Sequence, residues 1–465
     1  MSKANAMNVT VSLDSIRQKV AGKRHKLAQR QPKTDLYSPN VKKITNDFGE
    51  TLTRVDGTIP QDLPLQDGDR FLFISYDQSR NTHNLHKYPA KFFPELPRWL
   101  IERYSQPGDK VLDPFCGSAT TNLEAMLLGR HSVGVDVDPF AQLLARVKTT
   151  PIPPDVLQPL NEQILRRIIA YPNDAPTLIP TFPYQNNWFE DFIQQELGYI
   201  NGIIHQLDAL PEVKDFYRIC FSSIIHSVSN ADDNCTRTVI RKKLNKRIEP
   251  AMALTAFAET LLVNTWFMEQ LFHTDKTNVN VSIERKQDAR RFDHSDEYFH
   301  LAVTSPPYVN AVDYPRTHQL ELYWLGLADG SLSTLKKQHV GTETVSATDY
   351  KKLHQWGIEE IDNILNQIYQ SDPRRAFICY KYLCDMRDNM QEVYRVLKKG
   401  GRYVIVVGNN HIRGVVFETW KYLMLIAPEI GFQVENYVGS EIIRHFIKVP
   451  REQRINTDWI LVLQK

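Results

Sequence analysis

The sequence predicts an α/β protein with a doubly wound parallel sheet, a mainly helical inserted domain and a basic N-terminal arm. Short apolar strands at Lys110–Asp113 and residues 132–136 alternate with helices that begin near Thr120 and Pro139. A strand–helix–strand–helix series at this spacing is typical of parallel sheets. Strand patterns return at residues 279–283 after a long interval of helical periodicity, which indicates the insertion.

The positions of these patterns divide the chain into three blocks. Residues 1–80 form the arm, residues 81–150 and 281–465 form the core domain, and residues 151–280 form the helical insertion. A short strand over residues 70–75 closes the arm. We expect the arm to carry positive charge, because its first 50 residues hold ten Lys and Arg against four Asp and Glu.

The elements that follow the insertion complete the predicted sheet. A strand over residues 298–303 is followed by a long helical region that ends in a helix over residues 386–397. A turn at residues 399–401 then leads into a strand over residues 402–407. Residues 432–436 and 459–463 are the predicted terminal strands.

Composition indicates a globular protein that needs neither a membrane nor a metal. Hydrophobic residues make up 42% of the 465, enough for a sizeable core. No apolar run approaches the ~18 residues of a membrane span. The first residues lack the apolar block of a secretory signal, so we expect a cytoplasmic location. The five cysteines form no CxxC pair and no cluster with histidine, so we expect neither disulfides nor a metal site.

A second basic segment lies inside the insertion. Residues 236–247 carry six positive charges and no negative charge. Local basic runs on a nearly neutral protein favour a polyanionic partner such as nucleic acid, although a solvated helix face gives the same pattern. The residues we expect to contact nucleic acid are Arg237, Arg241, Lys242, Lys243 and Lys246.

The first predicted turn has the features of a nucleotide-cofactor site. Gly117 lacks the Cβ that would block close approach, and Asp136, 23 residues after Asp113, is placed to bind ribose hydroxyls. The helix start at residues 118–121 offers N–H groups to an anion such as a carboxylate. The chain has no GxGxxG here, which argues against a pyrophosphate dinucleotide. Asp113 as a turn former and Asp136 as a helix cap remain alternatives.

Six segments resemble motifs of the S-adenosylmethionine-dependent amino-methyltransferases that act on DNA. The resemblance covers residues 83–150 and 281–465. Ala119 departs from it, because the family usually has glycine there. The matching segments are residues 86–92 (HKYPAKF), 113–121 (DPFCGSATT), 135–139 (VDVDP), 288–290 (DAR), 304–308 (TSPPY) and 395–401 (RVLKKGG).

The resemblance implies a Rossmann-like methyltransferase sheet and S-adenosylmethionine as the cofactor. Residues 86–92 would line the methionine end of that cofactor, Asp136 would bind its ribose, and Asp288 would accept from its adenine amino group. The cofactor-binding residues expected in this way are Tyr88, Lys91, Phe92, Asp113, Phe115, Gly117, Ser118, Thr120, Asp136, Val137, Asp288 and Ala289.

The segment 305–308 supplies the chemistry that an exocyclic amine requires. The lone pair of such an amine is delocalised into the ring, so two acceptors aimed at its hydrogens would gather density on nitrogen. Ser305 Oγ and the Pro306 carbonyl are suitable acceptors, and Pro306–Pro307 stiffens the loop. Tyr308 offers a flat face for a base flipped out of the duplex. Taken alone, the same residues could be only a turn after a strand.

The first residue of this segment bears on the target atom. In the family it resembles, serine at this position goes mostly with N4-cytosine enzymes and aspartate mostly with N6-adenine enzymes. Ser305 therefore favours N4 of cytosine in double-stranded DNA, and we expect a restriction-modification system with a cognate endonuclease as its setting. Methylation at carbon 5 is disfavoured, because no cysteine stands in a Pro-Cys context. The alternatives are N6 of adenine, an RNA amino group, and a nucleic-acid-binding protein without catalysis.

The insertion at residues 151–280 is the candidate target recognition region. We expect Ser229, Asn230 and the basic run to face DNA. The competing hypothesis is a helical lid on the core, with Trp188 and Phe189 buried.

Overall fold

A ten-stranded sheet forms the centre of the protein. The computed structural model describes residues 11–30, 40–45, 49–74, 80–172, 174–241, 246–274, 278–285, 287–309, 312–328, 330–442 and 456–465. Within these residues the sheet order is β1-β2-β3-β11-β12-β8-β7-β4-β5-β6, and a separate hairpin pairs β9 with β10. The strands are β1 (Asn40–Thr45), β2 (Thr51–Asp56), β3 (Arg70–Ile74), β4 (Lys110–Asp113), β5 (His131–Val135), β6 (Val281–Glu284), β7 (Phe299–Thr304), β8 (Leu397–Gly408), β9 (Asn410–Ile412), β10 (Val415–Phe417), β11 (Gln433–Glu441) and β12 (Thr457–Gln464).

Helices cover both faces of the sheet and form a separate block beside it. Among the described residues, none of them is both long and apolar enough to cross a membrane. They are α1 (Leu13–Arg30), α2 (Glu95–Tyr104), α3 (Thr120–Leu127), α4 (Pro139–Lys148), α5 (Pro154–Ile169), α6 (Gln185–Trp188), α7 (Asp191–Gln206), α8 (Pro211–Ile225), α9 (Met252–Thr274), α10 (Tyr314–Thr317), α11 (Gln319–Trp324), α12 (Ser333–Gln338), α13 (Glu359–Ser371), α14 (Pro373–Val396) and α15 (Thr419–Ile430).

The order of the parallel strands creates a crevice between β4 and β7. From β4 the chain moves outward through β5 to β6, and it then returns to the other side of β4 with β7 and β8. All these neighbours pair in parallel, so their carboxyl ends share one edge. Ligands of doubly wound sheets bind where the strand order reverses in this way. The predicted doubly wound sheet is therefore confirmed, with the crevice at the ends of β4 and β7.

Alternating side chains on the central strands form two hydrophobic layers. Val111 and Leu301 pack on one face of the sheet with Trp99 of α2. Leu112 and Ala302 point to the opposite face, against a layer that includes residues of α13 and α14. Because neighbouring residues of a strand point to opposite faces, β4 and β7 are buried on both sides. Rigid strands thus carry the two loops at the crevice.

The segment predicted as an arm contains more regular structure than the sequence indicated. Strands β1 and β2 extend the sheet beyond β3, which pairs in parallel with both β2 and β11. The apolar residues Leu52 and Val55 lie three apart, which breaks the two-residue alternation by which strands are recognised. Helix α1 packs on α9, where the ammonium of Lys19 lies 2.6 Å from a carboxylate oxygen of Glu259.

Two later elements also differ from their predicted bounds. Helix α14 begins at Pro373, not at residue 386, because Asp372 caps it by accepting from the Arg375 N–H at 3.1 Å. The predicted turn at residues 399–401 lies inside β8 as an irregularity: Leu397 pairs with Phe299, and the next pairing joins Arg402 to Leu301.

Helices α5 to α9 supply the described part of residues 151–280. They share one hydrophobic cluster with Phe140 and Leu143 of α4 and with Ile16 of α1. Helix α9 buries residues around most of its circumference, including Phe257, and this pattern is typical of a central helix. The block therefore packs directly against the elements that border the crevice.

Candidate active site

A hydrogen bond joins the carboxyl ends of the two strands at the crevice. Asp113, the last residue of β4, accepts at Oδ1 from the hydroxyl of Thr304 at 2.7 Å and from the Phe115 N–H at 3.2 Å. Burial raises the pKa of Asp113 to about 6, although the hydrogen bond from Thr304 acts in the opposite direction. Since Thr304 directly precedes Ser305, Asp113 fixes the start of the segment 305–308. Sequence analysis assigned no role to Thr304.

The turn after β4 is held by the acid at the end of β5. Asp136 accepts at Oδ2 from the Gly117 N–H at 2.9 Å and at Oδ1 from the Asp138 N–H at 2.8 Å. Burial raises the pKa of Asp136 to about 6, and the charge of Asp138 acts in the same direction. Gly117 has a φ of 47°, and a Cβ there would lie 3.3 Å from the ring of Tyr88. Glycine thus meets both a backbone and a space requirement.

Ala119 occupies a backbone conformation that favours glycine. Its φ is 56° and its ψ is 42°, in the left-handed region, immediately before α3 begins at Thr120. The Ala119 N–H donates to the Cys116 carbonyl at 2.6 Å, which closes the turn. Ala119 therefore adopts the left-handed backbone conformation that a glycine would adopt here, and this strain lowers the stability of the fold by an amount on the order of 1 kcal/mol.

A pocket with an empty volume of about 790 Å³ opens at these strand ends. Its walls include every residue that sequence analysis expected to bind the cofactor, together with Ser305 and Pro307 of the segment 305–308. Those expected residues are Tyr88, Lys91, Phe92, Asp113, Phe115, Gly117, Ser118, Thr120, Asp136, Val137, Asp288 and Ala289.

One wall of the pocket was not foreseen. Tyr314 and His339 come from the segment after β7, which the sequence showed only as part of a helical region. The rings of Tyr88 and Tyr314 stack at a centroid distance of 5.9 Å, so this segment folds back over the turn after β4. No periodicity could have revealed a contact between residues so far apart. The remaining unforeseen lining residues are Ala90, Pro114, Cys116, Thr121, Asp138, Gln338 and Val340.

Asp138 leaves one buried acceptor at this wall. Its Oδ1 caps α4 by accepting from the N–H groups of Phe140 at 2.8 Å and Ala141 at 3.2 Å. Its Oδ2 has no hydrogen-bond partner among the described residues, and His339 Nε2 lies 3.8 Å away. The Asp–Pro pair at residues 138–139 was a usable signal for the cap, but not for a place in the pocket.

Asp288 lies at the far end of the pocket, after β6. Its carboxylate accepts from Arg290 at Nε (2.8 Å) and Nη2 (2.5 Å), and Arg290 Nη1 also binds Asp385 at 2.9 Å. Burial would raise the pKa of Asp288, but the hydrogen bonds from Arg290 outweigh it, and the pKa is lowered. Asp288 therefore remains an ionised acceptor.

The segment 305–308 faces the pocket only in part. Ser305 and Pro307 line it, and the Ser305 hydroxyl has no hydrogen-bond partner within the described chain. Pro306 is buried. Tyr308 is half-buried beside the pocket and donates its hydroxyl proton to Asp458 Oδ1 at 2.6 Å. The tyrosine is thus next to the pocket but is not one of its lining residues.

Two contacts hold the backbone that follows Tyr308. Asn410 Nδ2 donates to the Val309 carbonyl at 2.7 Å. Gly341, with a φ of 78°, approaches so closely that a Cβ there would lie 3.2 Å from the Tyr308 carbonyl oxygen. Segments distant in sequence therefore fix the end of the loop.

The predicted nucleic-acid contacts divide into distinct groups. Lys242 and Lys243 lie outside the described residues. Arg237 is exposed, and Arg241 is largely exposed, with Nε 3.0 Å from a carboxylate oxygen of Asp232.

Lys246 is instead enclosed by its own segment. Its ammonium donates to the carbonyls of His226 at 3.2 Å and Ala231 at 3.1 Å and pairs with Asp233 at 2.9 Å. We therefore keep the nucleic-acid prediction for Arg237 and Arg241 and predict a structural role for Lys246.

The expectation that Ser229 faces DNA is wrong. Ser229 is fully buried, and its hydroxyl donates to the His226 carbonyl at 2.8 Å and accepts from the Ala231 N–H at 3.1 Å. Phe189 is also buried, as the competing hypothesis of a packed lid requires, but Trp188, which that hypothesis also buries, is only half-buried. Asn230 is only half-buried and bonds to residues at the end of α6.

Comparisons with known proteins point to one family. The family described as "DNA methylase" (N6_N4_Mtase) matches residues 3–146. The chain is similar to the type II methyltransferase M.MvaI of Kocuria varians, with 25% identity over 76% of this chain and 83% of that protein. It is also similar to the type II methyltransferase M.BsoBI of Geobacillus stearothermophilus, with 24% identity over 77% and 81%.

A solved structure of a SAM-dependent methyltransferase from Methanosarcina mazei matches at 11% identity. The match covers 82% of this chain and 98% of that chain, with a TM-score of 0.28. Agreement at that level carries no information about the substrate.

Proposed function

Because this chain belongs to the S-adenosylmethionine-dependent DNA amino-methyltransferases, we propose that it methylates N4 of cytosine in double-stranded DNA. The observation that carries the proposal is the shared pocket. Ser305 opens into the same cavity as Asp136 and Asp288, which follow two neighbouring strands. A methyl donor held by the two acids would thus lie against the loop that holds the acceptor.

The polar groups of the pocket fit the proposed cofactor. Each oxygen of Asp136 accepts one backbone N–H, which leaves lone pairs for ribose hydroxyls. Asp288, kept ionised by Arg290, would accept from the adenine amino group. Gly117 leaves free the space that a Cβ would occupy beside Tyr88. When bound, S-adenosylmethionine supplies a methyl group activated by the adjacent sulfonium.

The residues of the segment 305–308 would orient the target amine. Ser305 Oγ has no hydrogen-bond partner in the described chain, so it would accept a hydrogen bond from one N–H of the target amine. The Pro306 carbonyl would accept a hydrogen bond from the other N–H. The amine lone pair would then point at the methyl group. Asp113 holds this loop at the adjacent Thr304, so its position is set before substrate binds. Positioning and fixed dipoles would supply the rate enhancement.

The target base must leave the duplex to reach this loop. Flipping costs a few kcal/mol, which stacking and phosphate contacts must offset. Tyr308, half-buried beside the pocket, would provide the stacking surface, and the exposed Arg237 and Arg241 would provide positive charge. The relatives named above are type II methyltransferases, and we infer a site-specific activity of that kind here, with a cognate endonuclease as its partner.

The choice of cytosine depends on Ser305. In the family this serine accompanies cytosine enzymes more often than adenine enzymes, and no physical argument from the pocket separates the two bases. N6 of adenine is therefore the second candidate.

The test is methyl transfer from deuterium-labelled S-adenosylmethionine to duplex DNA, followed by mass spectrometry of the nucleosides. We expect labelled N4-methylcytosine in duplex DNA and no label in tRNA. Labelled N6-methyladenine would overturn the choice of base, and labelled tRNA would overturn the choice of nucleic acid. Cofactor binding without any transfer would favour a protein that binds nucleic acid without catalysis. Ser305→Ala keeps the loop but removes the acceptor hydroxyl. We expect this variant to transfer the methyl group far more slowly than wild type.

A further inference from the structure

A buried lysine lies behind one end of the pocket. Lys148 is the last residue of α4 and is only 1% exposed. Among the described residues, its ammonium has one neighbour at hydrogen-bond range, the Ser118 hydroxyl at 3.5 Å, and Ser118 itself lines the pocket. A charged ammonium in such a place is costly unless it is paired.

No carboxylate of the described chain forms an ion pair with Lys148. The nearest acid that influences it is Glu124, which is fully buried. Glu124 is already bound by His83 at 2.7 Å, Arg80 at 2.8 Å and Arg98 at 3.2 Å. Glu124, the carboxylate among the described residues that influences Lys148, is thus already bound by three partners.

A second lysine increases the excess of positive charge. Lys91 also lines the pocket, and its ammonium donates to the His83 carbonyl at 2.9 Å. Burial lowers the pKa of Lys148 well below its ordinary value, and the charge of Lys91 lowers it further. Burial also lowers the pKa of Lys91. Both lysines would be stabilised in their charged forms by an anion placed between them.

The start of α3, next to Lys148, is suited to an anion. Ser118 and Thr120 lie at the start of α3, where N–H groups without helical partners point outward. Two lysines, one of them buried and without a carboxylate partner, add to the attraction of the helix end. Of the groups in the proposed cofactor, the carboxylate of its amino-acid tail is the one that carries negative charge.

We propose that Lys148 is the buried counter-charge for the carboxylate of the cofactor's amino-acid tail, acting across Ser118. The inference rests on the proposed function, because it takes the cofactor from there. Lys148 would then discriminate in favour of ligands that carry the carboxylate. Binding of such a ligand would also draw a proton onto Lys148, because an adjacent anion favours the charged ammonium.

The experiment is isothermal titration calorimetry at pH 7.5 in buffers of different ionisation enthalpy, which counts the protons bound with the ligand. The ligands are S-adenosylhomocysteine, which has the carboxylate, and 5′-methylthioadenosine, which lacks the amino-acid tail. We expect wild-type protein to take up protons with the first ligand and none with the second. This comparison needs no variant.

Lys148→Met, which keeps the length of the side chain and removes its charge, isolates the lysine. We expect it to bind S-adenosylhomocysteine roughly 10- to 100-fold more weakly, as for loss of a charged hydrogen bond, and to lose the proton uptake. Its affinity for 5′-methylthioadenosine should be unchanged. Lys110→Met, which removes a half-buried lysine at the opposite end of β4, should behave as wild type with both ligands.

The remaining outcomes overturn the inference. Equal affinity and equal proton uptake in wild type and Lys148→Met would show that Lys148 does not sense the carboxylate. An equal loss for both ligands would show a structural role only. Failure of the wild type to bind S-adenosylhomocysteine would remove the proposed function itself, an outcome distinct from the first two.

Discussion

The hydroxyl of Tyr308 donates to Oδ1 of Asp458 at a distance of 2.6 Å. The two residues are 150 positions apart, one in the loop after β7 and the other near the start of β12. Because β12 pairs with β8 and β8 pairs with β7, the last strand of the sheet anchors the loop that we propose to hold the target base. The loop is therefore positioned from both ends, by Asp113 and by Asp458.

Removing the ring of Tyr308 should abolish stacking while leaving the cofactor site intact. We expect Tyr308→Ala to lower methyl transfer by roughly 10- to 100-fold, since stacking of a base on an aromatic ring contributes about 1–3 kcal/mol. Tyr308→Phe, the matched control, keeps the ring and loses only the hydrogen bond to Asp458. Single-turnover transfer and calorimetric binding of S-adenosylhomocysteine are the measurements. Full activity of Tyr308→Ala would exclude the stacking role.

Asp458 should make stability depend on pH in a specific direction. Burial raises its pKa to about 6 from an ordinary value of 3.8, so the folded protein holds this proton more tightly than the unfolded chain. Stability from this residue is present below about pH 4 and is lost as pH rises through 6. We expect Asp458→Asn to gain up to roughly 3 kcal/mol relative to wild type between pH 4 and pH 7.

Urea unfolding of both proteins across this pH range checks the prediction. Asp208→Asn, at an exposed position, is the control and should follow the wild-type profile. If the difference between the urea midpoints of Asp458→Asn and wild type were the same at every pH, Asp458 would not have the raised pKa on which this prediction depends.

Asp136 should be essential for cofactor affinity. Asp136→Ala removes the proposed ribose acceptor and also the acceptor for the N–H groups of Gly117 and Asp138. We expect an affinity loss of at least about 100-fold, because hydrogen bonds to a charged group contribute roughly 1.5–3 kcal/mol each. Asp136→Asn keeps one carbonyl acceptor and should lose less. Unaltered calorimetric affinity of the alanine variant would exclude the ribose role.

The two exposed arginines of the basic run should contribute to the salt dependence of DNA binding. Each phosphate contact contributes about 0.9 to the slope of log affinity against log salt. We expect Arg237→Ala with Arg241→Ala to reduce that slope by roughly 2, measured by fluorescence anisotropy with duplex DNA. An unchanged slope would place these arginines away from DNA.

Lys246→Ala is the matched comparison from the same run. Because its ammonium already bonds to His226, Ala231 and Asp233, we expect the slope to stay the same and the free energy of unfolding to fall by roughly 1–3 kcal/mol. A reduced slope at unchanged stability would instead assign Lys246 to the DNA surface.

Local patterns were sufficient to predict the centre of the fold. Strands β4, β5 and β7 are short apolar runs that end in turn residues, so their bounds followed from the sequence to within one residue. Residues at the carboxyl ends of parallel strands must share one edge, which explains why Asp113, Asp136 and Ser305 were expected together.

Contacts between distant segments could not be predicted in the same way. The walls made by Tyr314 and His339 depend on how the chain folds back after β7, and no periodicity encodes that path. Strand β2 was missed because its apolar residues do not alternate. Ser229 was expected to face DNA, but its hydroxyl forms hydrogen bonds with the backbone of its own segment, and these allow its burial.

A crystal structure with a cofactor analogue and duplex DNA that contains the target sequence tests the proposed catalytic geometry most directly. We expect a flipped cytosine whose N4 lies within about 3.2 Å of both Ser305 Oγ and the Pro306 carbonyl. We also expect N4 to lie about 3–3.5 Å from the position of the transferred methyl group. A cytosine that remains stacked in the duplex, or a base bound away from the segment 305–308, would show that this loop does not hold the target base.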